Sequence, residues 1–243
     1  MAALNTDARP TAEPDGASAA GGVRTIDLRA SSVRHVNAEL HDPQTQAYEV
    51  LHPQGAHALA AGVRHPISVD IRGHAGYYAA GMNDGGTITV HGSAGTGVAE
   101  NMMCGTVRVH GDASQSAGAT GHGGLLVIDG SASMRCGISM KGINIVVGGD
   151  VGPMSAFMAQ AGRLVVCGDA GDALGDSIYE ARLYVRGAVG SLGADCVEKP
   201  VRAEHLAELA DLLKAAGLDH DPASFRRYGS ARTLYHFASS NTY

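Results

Sequence analysis

The sequence predicts a mainly β fold: a single-stranded parallel β-helix, or β-solenoid, of about seven 19-residue coils, with a small α/β cap before it and a helical tail after it. Three observations carry this expectation. Seven glycines, Gly73, Gly92, Gly111, Gly130, Gly149, Gly168 and Gly187, stand nineteen residues apart. A short β-type segment precedes each, as in Arg163-Leu-Val-Val-Cys-Gly168. Two files in the same register are aliphatic at all fourteen positions: Val69, Ile88, Val107, Leu126, Ile145, Leu164 and Leu183, and Ile71, Val90, Val109, Ile128, Val147, Val166 and Val185. A fixed period of about twenty residues marks a stacked repeat. Files two residues apart on a strand point to one side, so each coil gives one strand to a parallel sheet. Coils ~4.8 Å apart make seven turns roughly 30 Å long.

Along the chain, residues 1–22 are rich in Ala, Gly, Pro and Asp and are expected to be a disordered tail. Residues 23–66 read as an N-terminal cap. Val23–Leu28 alternates like a strand, and Val33, Val36 and Leu40 recur at helical spacing after Ser31 or Ser32 as N-cap. Ala47–Leu51 alternates again before Pro53. Residues 67–196 are the β-helix. Its turns are columns of small residues: Gly76, Gly95, Ser114, Ser133, Gly152, Gly171 and Gly190, then Ala80, Ala99, Gly118, Gly137, Ala156, Gly175 and Ala194. Glycines there let the backbone take positive φ and pack closely at the corners.

The file between the two aliphatic columns faces outward. It reads Asp70, Thr89, Arg108, Val127, Val146, Val165 and Tyr184, polar early and apolar late. A sheet apolar on both faces is covered on both, either by this chain's own C-terminal helix or by another protein. Residues 197–243 form that helix and a tail. Leu206, Leu209 and Leu213 give Ala203–Ala216 an apolar stripe, with Gly217 as C-cap, and Asp221-Pro222 opens a last short helix reaching Phe225. From Phe225 to Phe237 three arginines mix with four aromatics, which suits a docking segment or, equally, a cap over the last coil. The expected partner-facing residues are therefore Val127, Val146, Val165, Tyr184, Arg226, Arg227, Tyr228, Arg232 and Tyr235. On the docking reading, deleting residues 225–243 weakens assembly before it melts the rod.

Bulk composition narrows the function classes. Thirty-four glycines, no Trp and three Phe exclude an aromatic-packed core, and 27 of the glycines lie between residues 67 and 193. A net charge of −6 and a pI of 6.0 argue against a nucleic-acid footprint. Cys104, Cys136, Cys167 and Cys196 make no CxxC pair or zinc pattern. No apolar run is long enough to span a membrane, and no signal pattern opens the chain; a cytoplasmic protein is expected.

No catalytic, cofactor or metal residues emerge. The column Arg72, His91, His110, Asp129, Gly148, Cys167 and Arg186 places His91 and His110 on adjacent coils near Asp129. Zinc needs several convergent donors at about 2.0–2.3 Å, and a stacked polar ladder is the simpler account. Gly92-Ser-Ala-Gly-Thr-Gly97 lacks the long helix that a dinucleotide loop requires. Hexapeptide-repeat acyltransferases run in multiples of six, which nineteen leaves behind; pectate-lyase-like solenoids have longer, irregular coils.

Several segments resemble the GXGXG domain, the β-helical C-terminal domain of glutamate synthase large subunits: Gly86-Thr-Ile-Thr-Val-His-Gly-Ser-Ala-Gly95, Glu100-Asn-Met-Met-Cys-Gly105 and Arg135-Cys-Gly-Ile-Ser-Met-Lys-Gly142. The whole chain after about residue 23 is similar to the stand-alone GXGXG protein of three-subunit, glutamate-synthase-like enzymes. Its pattern includes Gly76–Asn83, Gly171–Glu180, Gly193-Ala-Asp-Cys196 and the more specific Phe225-Arg-Arg-Tyr-Gly-Ser-Ala-Arg232. The resemblance implies a scaffold in a hetero-oligomer. It would hold a class II glutamine amidotransferase-like subunit against an FMN-binding, iron–sulfur synthase subunit, with both cofactors in the partner. The best-known enzyme of this form is N-methylglutamate synthase (methylamine–glutamate N-methyltransferase), which makes N-methylglutamate and ammonia from glutamate and methylamine. The corresponding β-helical subunit of formylmethanofuran dehydrogenase and of formyltransferase/hydrolase complexes shares the repeat and is the alternative.

Overall fold

The structure is a computed structural model and describes residues 22–232. Its centre is one 11-stranded sheet. The chain lays down β1 (Arg24–Asp27), α1 (Val33–His41), β2 (Ala47–Leu51), β3 (Ser68–Arg72), β4 (Asp84–Val90), β5 (Cys104–Val109), β6 (Leu125–Ile128), β7 (Lys141–Val147), β8 (Ala161–Val166) and β9 (Arg182–Val185). Each strand after the first pairs in parallel with the one before it. From β3 onward the register is the nineteen-residue one, with Ile71 opposite Val90 and Val166 opposite Val185. The stack starts before the glycine ladder, because β1 and β2 are rungs of the same sheet. Between them α1 drops Val36 and Leu40 into the open end of the rod, its first turn capped by the Ser32 hydroxyl accepting from the His35 N–H.

All fourteen residues of the two aliphatic files are buried and line one continuous core. A second, shorter ladder closes the coil opposite them: Ala75, Ala94, Ala113, Ala132, Val151, Ala170 and Val189 bridge from coil to coil. The third side is a spiral in which every other residue is left-handed, as at Tyr78, Ala80 and Met82 (φ 59, 54 and 54°). There the N–H groups point alternately up and down the stack. Tyr78 and Met82 donate to Thr96 and Glu100 of the next coil, and Ala80 donates to Leu59 of the one before. Alanine and glycine fill the column of Ala80, Ala99, Gly118, Gly137, Ala156 and Gly175 because it faces the narrow interior, where Ala80, Ala99 and Ala156 are fully buried, whereas left-handed Met82 and Met158 are exposed.

The periodic glycines have a different reason from the one expected for glycine at the corners. Apart from Gly73, none has positive φ. They leave room for a polar ladder one residue further on. The His74 imidazole accepts the Ser93 N–H at 2.9 Å, Ser93 Oγ that of Asp112 at 3.2 Å, Asp112 Oδ1 that of Ser131 at 2.8 Å and Ser131 Oγ that of Asp150 at 3.1 Å. Asp150 and Asp169 continue it by accepting from the N–H groups of Asp169 and Ala188, each at 2.7 Å. A methyl group at Gly168 would stand 2.1 Å from Asp150 Oδ1 and 2.8 Å from the Gly149 backbone. Asp150→Ala is expected to lower stability by about 1 kcal/mol, the worth of one hydrogen bond, and Gly168→Ala by more. Because both break the same rung, the double variant loses less than the sum; urea melts of the three proteins measure it.

After β9 the helical rules take over. Strand β10 (Cys196–Lys199) leads to α2 (Ala203–Ala216), a 3-10 turn (Pro222–Ser224) and β11 (Arg226–Ser230). Gly217 ends α2 in the left-handed conformation, its N–H returning to Leu213 and Lys214. Strand β11 inserts antiparallel between β9 and β10, Tyr228 opposite Leu183 on one side and Glu198 on the other. Tyr228 is buried in the main core. The start of the tail is thus a cap built into the last rung, and deleting residues 225–243 is expected to lower the melting temperature of the isolated chain. Loss of assembly with an unchanged melt would contradict that.

Candidate interaction surface

The outer face of the sheet divides in two. From Val127 onward the apolar file is buried by the chain itself. Val127, Val146, Val165 and Tyr184 are at most 1% exposed and pack with Cys167, Leu209, Leu213, Ala216 and Phe225 in a second core. These four therefore face α2 and not a partner, a correction to the partner-facing reading. Helix α2 lies along the stack, from Glu208 over β8 and β9 to the Ala216 carbonyl over Arg108 on β5. Fourteen residues at 1.5 Å give about 21 Å, matching the roughly 19 Å from β5 to β9. The buried stripe of α2 is His205, Leu209, Leu213 and Ala216, with Leu206 only half-buried.

A charged group fixes each end of this helix. Arg108 donates to the Ala216 carbonyl at 3.0 Å and makes a bidentate pair with Asp129 at 2.6 and 3.1 Å. A cation there suits the negative end of the helix dipole. Near the other end, Glu208 accepts from Arg163 at 2.5 and 2.8 Å, Arg182 at 2.7 Å and the Tyr184 hydroxyl at 2.7 Å. Burial alone would raise the Glu208 pKa, but Arg163, Tyr184 and Arg182 bring it down to about 2. Burial and the Glu208 carboxylate together push the Tyr184 phenol far up. Arg163 and Arg182 are register partners on adjacent coils. Two like charges ~4.8 Å apart call for a shared counter-charge, and this is the signal in the sequence that could have pointed to Glu208.

The first turn of α2 has an unusual cap. The Arg202 N–H donates to His205 Nδ1 at 3.0 Å, so the imidazole must be neutral at that nitrogen. Burial, with Arg227 adding, lowers the His205 pKa below its usual 6.5. A lowered histidine pKa stabilises the fold above the unfolded value and the gain is lost as pH falls through the folded one. Acidification below about pH 6.5 is expected to loosen residues 203–209 first, read by amide exchange. In His205→Asn, whose side chain keeps an acceptor without titrating, that pH dependence should vanish.

The earlier half of the outer face stays polar. The His91 and His110 rings lie 5.2 Å apart; His91 pairs with Asp70 and His110 with Asp129, each at 2.6 Å. Arg72 bridges His91 to Glu49. The geometry is a stacked polar ladder. Among the described residues no group of three or more His, Cys, Asp or Glu is placed to hold a metal ion, and no helix is long and apolar enough to cross a membrane. Cys136, Cys167 and Cys196 are buried thiols, and burial pushes Cys136 up to about 12. The exposed Cys104 thiol donates to Asp84 at 3.2 Å.

The remaining candidates are spread over two surfaces. Arg226 donates to the Gly187 carbonyl at the end of the rod and lies over the Tyr228 ring. Arg227 is half-buried on the outer face, bonded to the Pro200 carbonyl at 3.1 Å. Arg232 pairs with Asp195. Tyr228 is buried, and Tyr235 lies outside the described residues.

Fold and surface together define a single-stranded parallel β-solenoid whose outer face is half covered by its own helix. No family model matches the chain. It is 62% identical over 221 residues to Protein GlxC of Rhizobium meliloti (strain 1021), an alignment spanning 89% of this chain and 97% of that protein. The chain belongs to the GlxC family.

Proposed function

We propose that this chain is the β-helical scaffold subunit of a glutamate-synthase-like enzyme that makes N-methylglutamate from methylamine and glutamate. In that assembly it holds a class II amidotransferase-like subunit against a subunit carrying FMN and an iron–sulfur cluster. The observation that supports this best is the segment Phe225-Arg-Arg-Tyr-Gly-Ser-Ala-Arg232. It is the most specific point of likeness to stand-alone GXGXG subunits, and its strand β11 completes the last rung of the rod. The coils offer a scaffold two further properties. Their order comes from ladders that repeat along the whole stack, and the two aliphatic files that line them form one continuous core. The test is co-expression with an amidotransferase-like protein and an FMN-domain, glutamate-synthase-like protein. The chain alone should be colourless and inactive, and it should co-purify with a yellow-brown partner. Turnover of methylamine and glutamate by the isolated chain would overturn the proposal. Co-purification with a metal-dependent hydrolase would favour the formyltransferase-type complex instead.

A further inference from the structure

The chain carries a net charge of −6, yet one part of its surface is strongly basic. Arg182 opens β9 and Arg186 directly follows it, alternating with Leu183 and Val185, which face the core, so both lie on the outer face with Tyr184. Arg163 is the register neighbour of Arg182 on β8. Across the last rungs Tyr184 stands opposite Arg227, and Arg227 opposite Lys199. Arg202 opens α2 beside them. Six cations thus share the outer face at the C-terminal end of the rod, and among the described residues the carboxylates within 4 Å of them are those of Glu204 and Glu208.

Those two carboxylates are already engaged. Glu208 is saturated by Arg163, Arg182 and Tyr184, and Glu204 stands 3.7 Å from Arg202. Among the described residues Arg186, Lys199 and Arg227 form no ion pair; Arg186 and Arg227 bond only to the carbonyls of Cys167 and Pro200. Burial lowers the Arg227 pKa, and the fields of Arg182 and Arg202 act in the same sense. The positive end of the α2 dipole adds to that field. Like charges gathered on a rigid sheet raise the energy of the free surface, and a carboxylate-bearing partner would relieve it with ion pairs.

We infer that the outer face around Arg227, Lys199, Arg202 and Arg186 is a docking surface for an acidic patch of a protein partner. The inference rests on the scaffold reading above, in which this patch belongs to one of the two catalytic subunits. A long polyanion fits less well. The patch holds six cations and two carboxylates, +4 in all, so the rest of the chain carries −10 and would repel a nucleic acid running beyond the patch. A protein surface of matching size meets the basic end alone, and the acidic remainder of the rod orients its approach.

The experiment reverses charge where no cation holds Glu208. The variant Lys199→Glu/Arg202→Glu/Arg227→Glu should melt close to the wild type. Its binding to each co-expressed subunit, measured by surface plasmon resonance, should be at least about tenfold weaker, while Lys199→Arg/Arg202→Lys/Arg227→Lys binds like the wild type. Wild-type affinity should fall steeply with salt and that of the reversed variant should not. Unchanged affinity in the reversed variant, with the wild-type complex formed, would overturn the docking surface and leave the scaffold reading standing. Failure of the wild-type chain to bind either subunit would overturn both. Charge-dependent binding to duplex DNA or anionic vesicles, with none to the subunits, would also overturn it.

Discussion

Gly162→Ala is expected to unfold most of the chain at temperatures the wild type tolerates. Gly162 is the second residue of β8 and has φ +100°, outside the left-handed well that the alanines of the spiral occupy. A methyl group there would stand 2.2 Å from the Ile143 carbonyl oxygen and 2.9 Å from the Gly142 backbone. Those atoms belong to the previous rung and are fixed by its hydrogen bonds, so relief requires separating two coils. Backbone strain of about 1–3 kcal/mol and overpacking of about 1–3 kcal/mol together reach a large part of the roughly 5–15 kcal/mol that holds a typical domain. Gly217→Ala is the control. Its φ is also positive, +69°, but the nearest atom is an Arg108 nitrogen at 3.9 Å. It should cost only about 1 kcal/mol. Thermal melts of both variants check the contrast; equal losses would refute the close-approach argument.

Glu208→Gln should have the next largest effect, and it should be local. The substitution leaves Arg163, Arg182 and the buried Tyr184 hydroxyl without their shared anion. The arginines of this cluster are a third or more exposed, so the loss is smaller than the roughly 3–5 kcal/mol of a fully buried pair, and it falls on the contact between α2 and the sheet. The same carboxylate sets an acid limit. Its folded pKa of about 2 lies below the usual 4.5, so its stabilising contribution is complete above about pH 4.5 and is lost as pH falls from there through about 2. The difference corresponds to at most about 3 kcal/mol, reduced by solvent screening at the partly exposed arginines. Titrating wild type and Glu208→Gln by circular dichroism should show this acid-dependent loss in the wild type and a flatter response in the variant. Parallel curves would mean that Glu208 does not hold the helix.

The rod was legible because its forces repeat. Fourteen aliphatic positions in register leave one arrangement that buries them all, and the burial of every one follows. Helix α2 was legible for the same local reason, with its bounds and Gly217 cap as expected and Leu209 and Leu213 buried, though His205 takes the buried place expected for Leu206. The polar ladder beside the glycines was written in the sequence as His74, Ser93, Asp112, Ser131, Asp150 and Asp169, but only the structure shows that each accepts the next coil's N–H. The candidate surface was less legible. Val127 to Tyr184 announced that something covers them, and two coverings satisfied that signal equally. Strand β11 looked like a docking tail because its arginines and aromatics suit an interface and a capping strand alike.

By itself the sequence determined the period, the inner files and the positions where coils touch, because these follow from interactions between residues nineteen apart in one repeating register. Tertiary structure decided what the non-repeating segments do. Helix α2 is long enough to cover the apolar file, and β11 enters the sheet antiparallel, placing Arg227 beside Lys199 and Tyr184. Those contacts join residues that no period relates, so their pairing depends on where the chain ends up in space.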